Sequence, residues 1–349
     1  MRNSISSVGL EITDFCNLNC AHCYVGEINR PKTSMPYEKI TYLIENAMKY
    51  NAKEIIISGG EPFIHPDIMK IIDDMKNKYQ SANFIITSNG SFVTQKIVNA
   101  IKDIDNLTIQ ISLDGATKET HEQQHGHNTF EHIMDILEFM RDIPKQRKII
   151  RMSISKINYK ETNDVIEIAQ KFNTRISLSY VCKVGNAKKN WSSLGMTLAQ
   201  QMYTHESIMT CAKKYPEETI IPPQSILCCP FENPDFPIGI NVYTNGDVNI
   251  CTCLDSEYII GNAFKESFET FLNSMVISNL SQKIIDRRNK LLSKECKNCI
   301  VLNRCTQGCI GRAKQQGDEF GLDGECEYRK AQLFKNLFFF VSGRRSNNG

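Results

Sequence analysis

Two hydrophobic periods alternate through the first half of this chain, and that alternation restricts the fold more than any other feature. Apolar, β-branched runs occur at Val8–Thr13, Glu54–Ser58, Phe84–Thr87, Leu107–Leu113, Ile149–Ile154 and Arg175–Val181 and read as strands. Helical patterns follow them at Pro36–Tyr50, Pro66–Tyr79, Thr94–Asp103, Phe130–Arg141, Glu161–Phe172 and Thr197–Lys214. In the first helix Ile40, Leu43, Ile44 and Ala47 recur at helical spacing. Pro36 suits its first turn, where a missing N–H costs nothing. Six strand–helix units in sequence predict parallel strands joined by right-handed crossovers. Six is two fewer than a closed eight-fold barrel, so the expected fold is α/β, an open partial (β/α)6 barrel of TIM type. Sites in such folds lie on the loops at the carboxyl ends of the strands.

Beyond about Cys211 the pattern breaks. Pro222-Pro223, Asn233-Pro234 and Asn245-Gly246 are turn signals. Ile238–Tyr243 and Asp247–Ile250 flank Thr244-Asn245-Gly246 as a hairpin, and Ser267–Leu292 reads as a helix. The expected division is a barrel at residues 1–210, a cysteine-rich unit at 211–335 and a disordered tail at 336–349.

The chain has 14 cysteines, three between Cys16 and Cys23, none from Tyr24 to Val181, and eleven from Cys182 onward. Met1 to Asp14 lacks the continuous apolar stretch of a signal peptide, and Leu337–Val341 is far too short to span a bilayer. The expectation is a cytoplasmic protein with no membrane contact. A net charge of +2 gives no argument for nucleic acid. In a reducing compartment such cysteines point to metal rather than to disulfides, here in two separate regions.

Immediately after the first strand stands Cys16-Asn-Leu-Asn-Cys20-Ala-His-Cys23. Thiolates are soft ligands suited to iron–sulfur clusters. Three on one short loop can hold three irons of a cubane and leave the fourth iron open. The alternative is structural zinc, which wants four ligands. CxxxCxxC after strand one, followed by the aromatic Tyr24, resembles the radical S-adenosylmethionine (SAM) superfamily. The resemblance implies that the amino and carboxylate groups of SAM chelate the open iron. It further implies that SAM is cleaved to a 5′-deoxyadenosyl radical, which abstracts hydrogen from a substrate.

Other segments at strand ends carry the resemblance further. It implies that Gly59, Gly60 and Glu61 of Ser58-Gly59-Gly60-Glu61-Pro62 meet the amino group of SAM. Ser88 and Asn89 of Thr87-Ser88-Asn89-Gly90, and Ser112 and Asp114 of Ser112-Leu113-Asp114-Gly115, would lie near its ribose and carboxylate, with Tyr24 beside them. Turn chemistry alone also accounts for such sequences. His125-Gly126 stands where many relatives carry Arg-Gly, so the carboxylate contact falls to His125, which if neutral is a weaker partner than arginine. His121, His125, His127 and His132 are read as a solvated helix start rather than a metal site.

The later cysteines resemble the SPASM extension of radical SAM proteins, which holds two auxiliary [4Fe–4S] clusters. Cys296-Lys-Asn-Cys299, Cys305 and Cys309 give CxxCxxxxxCxxxC, followed by Cys326, while Gly246 to Cys251 gives GxxxxC after Cys228-Cys229. The two resemblances run from about Val8 to Tyr328. They imply an outer cluster on Cys296, Cys299, Cys305 and Cys326. Cys309 would join an inner one with Cys251 and one or both of Cys228 and Cys229, with Cys211 and Cys253 as spare candidates. A zinc ribbon on Cys296, Cys299, Cys305 and Cys309 is the alternative.

The resemblance implies a peptide maturase that forms a thioether or carbon–carbon bond in a ribosomal peptide. The auxiliary clusters would take the electron that such a bond releases. A sulfatase-type formylglycine maturase, a peptide epimerase and an iron–sulfur electron-transfer or scaffold protein are the alternatives. An epimerase needs a thiol hydrogen donor, for which Cys182 is a candidate, although a small buried apolar role suits it too. Only fifteen residues precede Cys16, so the expected partners are a peptide substrate, a separate leader-recognition protein and a flavodoxin- or ferredoxin-type reductant.

Overall fold

In the computed structural model, strand β1 (Ile5–Thr13) occupies the middle of the sheet, and every residue from Val8 to Thr13 is buried. Burial on both faces is what a parallel strand covered by helices requires. The structure describes residues 5–26, 32–126, 128–216, 219–223, 229–233, 236–254 and 258–333. His127, Cys228 and the expected disordered tail lie outside them.

Five strands follow β1 in parallel order: β2 (Glu54–Gly59), β3 (Phe84–Ser88), β4 (Leu107–Ser112), β5 (Lys148–Ile154) and β6 (Arg175–Tyr180). The crossovers are α1 (Tyr37–Lys49), α2 (Ile68–Asn77), α3 (Gln95–Ile101), α4 (Lys118–His125) with α5 (Phe130–Phe139), and α6 (Thr162–Lys171). After β6 come α7 (Asn186–Lys189), α8 (Trp191–Leu194) and α9 (Leu198–Ala212). A capping box of Thr197 and Gln200 starts α9. Ile40, Leu43, Ile44 and Ala47 form the buried stripe of α1, as their spacing requires. The partial barrel anticipated from the alternation is present.

The C-terminal half enters the same sheet. β7 (Ile220–Ile221) pairs with β6 in parallel, and β8 (Ile238–Val242) pairs with β1 in parallel on the side opposite β2. β9 (Asp247–Asn249) and β10 (Ile259–Asn262) extend it antiparallel, giving the open order β10-β9-β8-β1-β2-β3-β4-β5-β6-β7. One hydrophobic core runs through both halves, from Val8 and Leu10 to Ile240, Phe268 and Leu280. The helix read at Ser267–Leu292 is two, α10 (Phe268–Leu272) and α11 (Met275–Ser293), because Ser274 caps the second by accepting from the Val276 N–H. A short α12 (Ile310–Gln315) follows the last CxxxC.

Since Ile240 of β8 sits in register with Val8 of β1, replacing it tests whether the halves are one cooperative unit. Ile240→Ala is expected to cost about 2–5 kcal/mol, from lost burial and a cavity. Urea unfolding followed by circular dichroism and by cluster absorbance should show both midpoints falling together. A drop in one alone would mean that the halves unfold independently.

Candidate active site

The cysteine loop leaves the carboxyl end of β1 and is gripped from three sides. From β2, Gly60 N–H donates to Thr13 O at 2.7 Å and Glu61 N–H to Phe15 O at 2.8 Å. A side chain at Gly60 would collide with the Phe15 carbonyl, so only glycine permits this approach. From the segment after β6, Asn186 N–H donates to Cys23 O at 2.9 Å and Asn186 Nδ2 to Cys20 O at 3.0 Å. Asn190 Nδ2 reaches Ala21 O at 3.0 Å. From α4, Gln124 O accepts from Ala21 N–H at 2.9 Å. The thiols of Cys16, Cys20 and Cys23 stay half-exposed at the sheet's carboxyl end. Burial, opposed by the Leu18 N–H, pushes the Cys16 thiol up to about 11, so a metal must displace a proton to bind there.

Glu61 braces the loop from within. It is fully buried and accepts from Phe63 N–H at 3.1 Å, Ser88 Oγ at 2.8 Å and Asn89 N–H at 2.8 Å. Asn89 Nδ2 points to Cys16 Sγ at 3.6 Å, so the ends of β2 and β3 meet the first cysteine together. Ser112 is half-buried at the end of β4, opposite Arg151 of β5. Tyr24 donates its hydroxyl to buried Glu11 at 3.2 Å.

Asp114 and His125 pair with each other. The carboxylate accepts from Ser153 N–H at 2.6 Å and from His125 Nε2 at 2.8 Å, and faces His22 Nε2 at 3.3 Å. His125 Nδ1 lies 3.6 Å from Cys20 Sγ. Burial disfavours a charge on His125, but Asp114 and Cys20 outweigh it and raise its pKa to about 10. His125 is therefore favoured as a cation, so the weakness that a neutral imidazole would have as a carboxylate partner does not apply. His121 and His125 are 0% and 3% exposed, so the expected solvated helix start is instead the buried inner face of α4. His121 Nδ1 accepts from Asp114 N–H at 3.0 Å, and burial lowers its pKa to about 3. His22 was missed in the sequence, although its place between Cys20 and Cys23 was the available signal. The ligating atoms of His22, Asp114 and His125 lie within 4.8 Å of one another.

In the C-terminal half the cysteines fall into two groups. The Cys296 thiol is raised by burial and then by Cys326, Cys299 and Cys305 around it. Those three lie close enough to influence Cys296, whereas Cys309 lies near Cys253. This grouping fits four-thiolate ligation of an iron–sulfur cluster better than a ribbon made with Cys309. Asn249 Oδ1 accepts from Cys251 N–H at 2.7 Å and opens a turn in which Leu254 N–H donates to Cys251 O. The turn carries Cys251 and Cys253 together, and their thiols are in contact. Cys229 packs half-buried against the core, and Cys211 is buried in it on α9.

A cleft of about 770 Å³ joins the two regions. Its walls include Tyr24 beside the cysteine loop, Lys183 and Lys188 after β6, and Tyr243 and Cys253 from the C-terminal half. A second cavity of about 240 Å³ is lined by Tyr180, Cys182, Arg312 and Tyr328. No helix among the described residues is long and apolar enough to cross a membrane.

Comparison with known proteins agrees with this chemistry. Residues 10–169 match the radical SAM superfamily, and residues 229–300 match SPASM, an iron–sulfur cluster-binding domain. The mycofactocin maturase MftC of Mycobacterium tuberculosis is 21% identical over 328 residues, 90% of this chain and 81% of its own. The subtilosin biosynthesis protein AlbA of Bacillus subtilis is 22% identical over 292 residues, 78% of this chain and 60% of its own. Streptococcus suis SuiB bound to its precursor peptide SuiA shares the fold with a TM-score of 0.72 at 14% identity, over 92% of this chain and 75% of SuiB. With a cysteine loop braced at the carboxyl end of β1 and two further cysteine groups beyond it, this chain is a radical SAM enzyme carrying a SPASM iron–sulfur domain.

Proposed function

We propose that the enzyme is a peptide maturase that forms a thioether or carbon–carbon crosslink in a ribosomal peptide. One observation carries the reading: a single cleft runs from Tyr24, next to Cys23, to Cys253 in the auxiliary group. A peptide segment lying there would have one face at the radical site and the other at the auxiliary cysteines. The relatives that match across most of the chain are a mycofactocin maturase and a bacteriocin biosynthesis protein, which supports the same reading.

In this reading Cys16, Cys20 and Cys23 hold the open cluster, with Cys296, Cys299, Cys305 and Cys326 as the outer auxiliary ligands. When bound, SAM at the open cluster supplies the hydrogen-abstracting radical, and the auxiliary clusters supply a one-electron acceptor. The chain's own contribution is position. Gly60, Asn186 and Gln124 fix the loop, Glu61 ties Ser88 and Asn89 to it, and the Asp114–His125 pair sets a cation against Cys20. Direct SAM contacts by Gly59, Gly60, Ser88, Asn89, Ser112 and Tyr24 belong to the proposal, since these residues line the ends of the strands around the loop. A flavodoxin- or ferredoxin-type reductant and a separate leader-recognition protein complete the system, in the cytoplasm. The epimerase reading would need Cys182 facing the substrate, but this thiol lines the smaller cavity.

Co-expression with the peptide encoded beside this gene, under anaerobic conditions, tests the function. Mass spectrometry should show a loss of two hydrogens per crosslink. An unchanged mass with an inverted residue would replace crosslinking with epimerisation.

Gly60→Val should displace the cysteine loop. A shift of about 1 Å at reacting groups costs about 100-fold, so 5′-deoxyadenosine formation should fall at least that far. Iron should drop by about four of about twelve per chain, the auxiliary share remaining. Normal deoxyadenosine yield would show that the close approach of β2 is dispensable.

Cys299→Ala should separate the two halves of the chemistry. Substrate-independent SAM cleavage should persist, because the open-cluster loop is built from the barrel, while crosslinked peptide disappears. Full product from a soluble variant would remove the outer cluster from the reaction.

A further inference from the structure

Cys182 follows β6 in the barrel half, yet its thiol is in hydrogen-bonding contact with Cys253 of the other half. Cys253 is in turn in contact with Cys251 and close to Cys309. Three separate segments thus bring four thiols to one place. The approach is built into the backbone. Gly311 in the first turn of α12 packs on Cys253, where a side chain would meet the Cys253 Cβ at 2.9 Å and its carbonyl oxygen at 3.0 Å. Gln315 Nε2, one turn on, donates to the same carbonyl at 3.2 Å. Cys309 immediately precedes that helix, so seating α12 on Cys253 also sets Cys309 beside the group. Arg312, on the same helix, hydrogen-bonds to Cys182 and is paired with Glu325.

We propose that Cys182 and Cys253 are iron ligands of the inner auxiliary cluster, completing a set with Cys251 and Cys309. Four soft donors meeting from separate segments are what a cubane cluster takes. Simple burial accounts for one such thiol but not for four. Cys182 also lines the smaller cavity while Cys253 lines the larger cleft, so the group forms the wall between the two. A ligand supplied by the barrel makes the cluster a staple between the halves, as metal binding stabilises whatever brings its ligands together. This inference rests on the SPASM assignment and is independent of which substrate the enzyme modifies.

The test uses the anaerobically reconstituted full chain. Cysteines are alkylated before and after iron removal by a chelator, and peptide mapping reads each position. Cys182 and Cys253 should be protected in the loaded protein and modified after chelation, in parallel with Cys251 and Cys309. Equal modification of Cys182 in both states would overturn the proposal, as would a Cys182–Cys253 disulfide in the loaded protein. A second arm needs no activity. In a chain with Cys16, Cys20 and Cys23 all replaced by alanine, two auxiliary clusters should hold about eight irons. Adding Cys182→Ala should lower that to about four, or leave a three-iron cluster visible by electron paramagnetic resonance. Cys182→Ser, which offers oxygen in place of sulfur, should keep more iron but shift the Mössbauer parameters of one cluster. Unchanged iron and spectra in both variants would exclude Cys182, and iron loss confined to the double variant Cys228→Ala/Cys229→Ala would place the remaining ligands there instead.

Discussion

Everything at the active site hangs from the pairing of β1 with parallel strands on both sides. β2 holds it in register on one flank and β8 on the other, with Leu10 opposite both Ile57 and Val242. An edge strand could shift or fray, but a strand bonded twice cannot slip without breaking both ladders. Its carboxyl end therefore delivers Cys16 to a fixed place. The second pairing also brings the C-terminal half to that end, where Thr244 Oγ1 in the β8–β9 turn donates to Asp14 Oδ2 at 2.5 Å. One strand thus anchors the cysteine loop and the hairpin that precedes Cys251.

Within this scaffold the Asp114–His125 pair solves an electrostatic problem. A buried carboxylate without partners would protonate, and a buried imidazolium would lose its proton. Together, with Ser153 N–H as a further donor, each holds the other charged: the Asp114 carboxyl falls well below its ordinary range although burial opposes this. Removing one member of such a pair typically costs about 3–5 kcal/mol, because the other is left buried and unpaired. The pair is therefore as much a structural pin for α4 and the Cys20 side chain as an electrostatic feature. His125 is close enough to the carboxylate and to Cys20 for one short ring to bridge both.

The sequence showed most of this where its signals were local. Six strand–helix units, the hairpin around Asn245-Gly246 and the stripe of α1 were legible because period and turn chemistry are properties of neighbouring residues. The pairing of β8 with β1 was not, since nothing local to Ile238–Val242 says which strand it will join. Likewise α4 was hidden because its buried residues are His121, Gln124 and His125, polar groups that carry no hydrophobic period. The CxxxCxxC and CxxC spacings announced metal sites from the letters alone. The contact between Cys182 and Cys253 joins positions that only the tertiary fold brings together.

The auxiliary cysteines pose a related question of charge, because thiolates bound to iron leave negative charge in a partly buried region. Three arginines stand among them, and they are not equivalent. Arg329 is held by Asp323 at 2.7 and 2.5 Å, and Arg312 is paired with Glu325. Each of these pairs contributes little net charge, so its value lies in orientation. Asp323 also accepts from Cys309 N–H at 2.9 Å, which ties the Arg329 pair to the backbone of a ligand candidate. Arg287 differs. It is 1% exposed, donates to the carbonyls of Gly321 and Gly308, and keeps one buried guanidinium nitrogen, Nη2, without a partner. Burial weakens its charge, opposed first by Asp323 and then by Cys309 and Cys296, one cysteine from each group. A buried cation held only by carbonyls is costly unless negative charge lies close by. Arg287 is thus held between Asp323 and the two cysteine groups while its donors reach two carbonyls, an arrangement that suits a planar guanidinium with several donors better than a lysine.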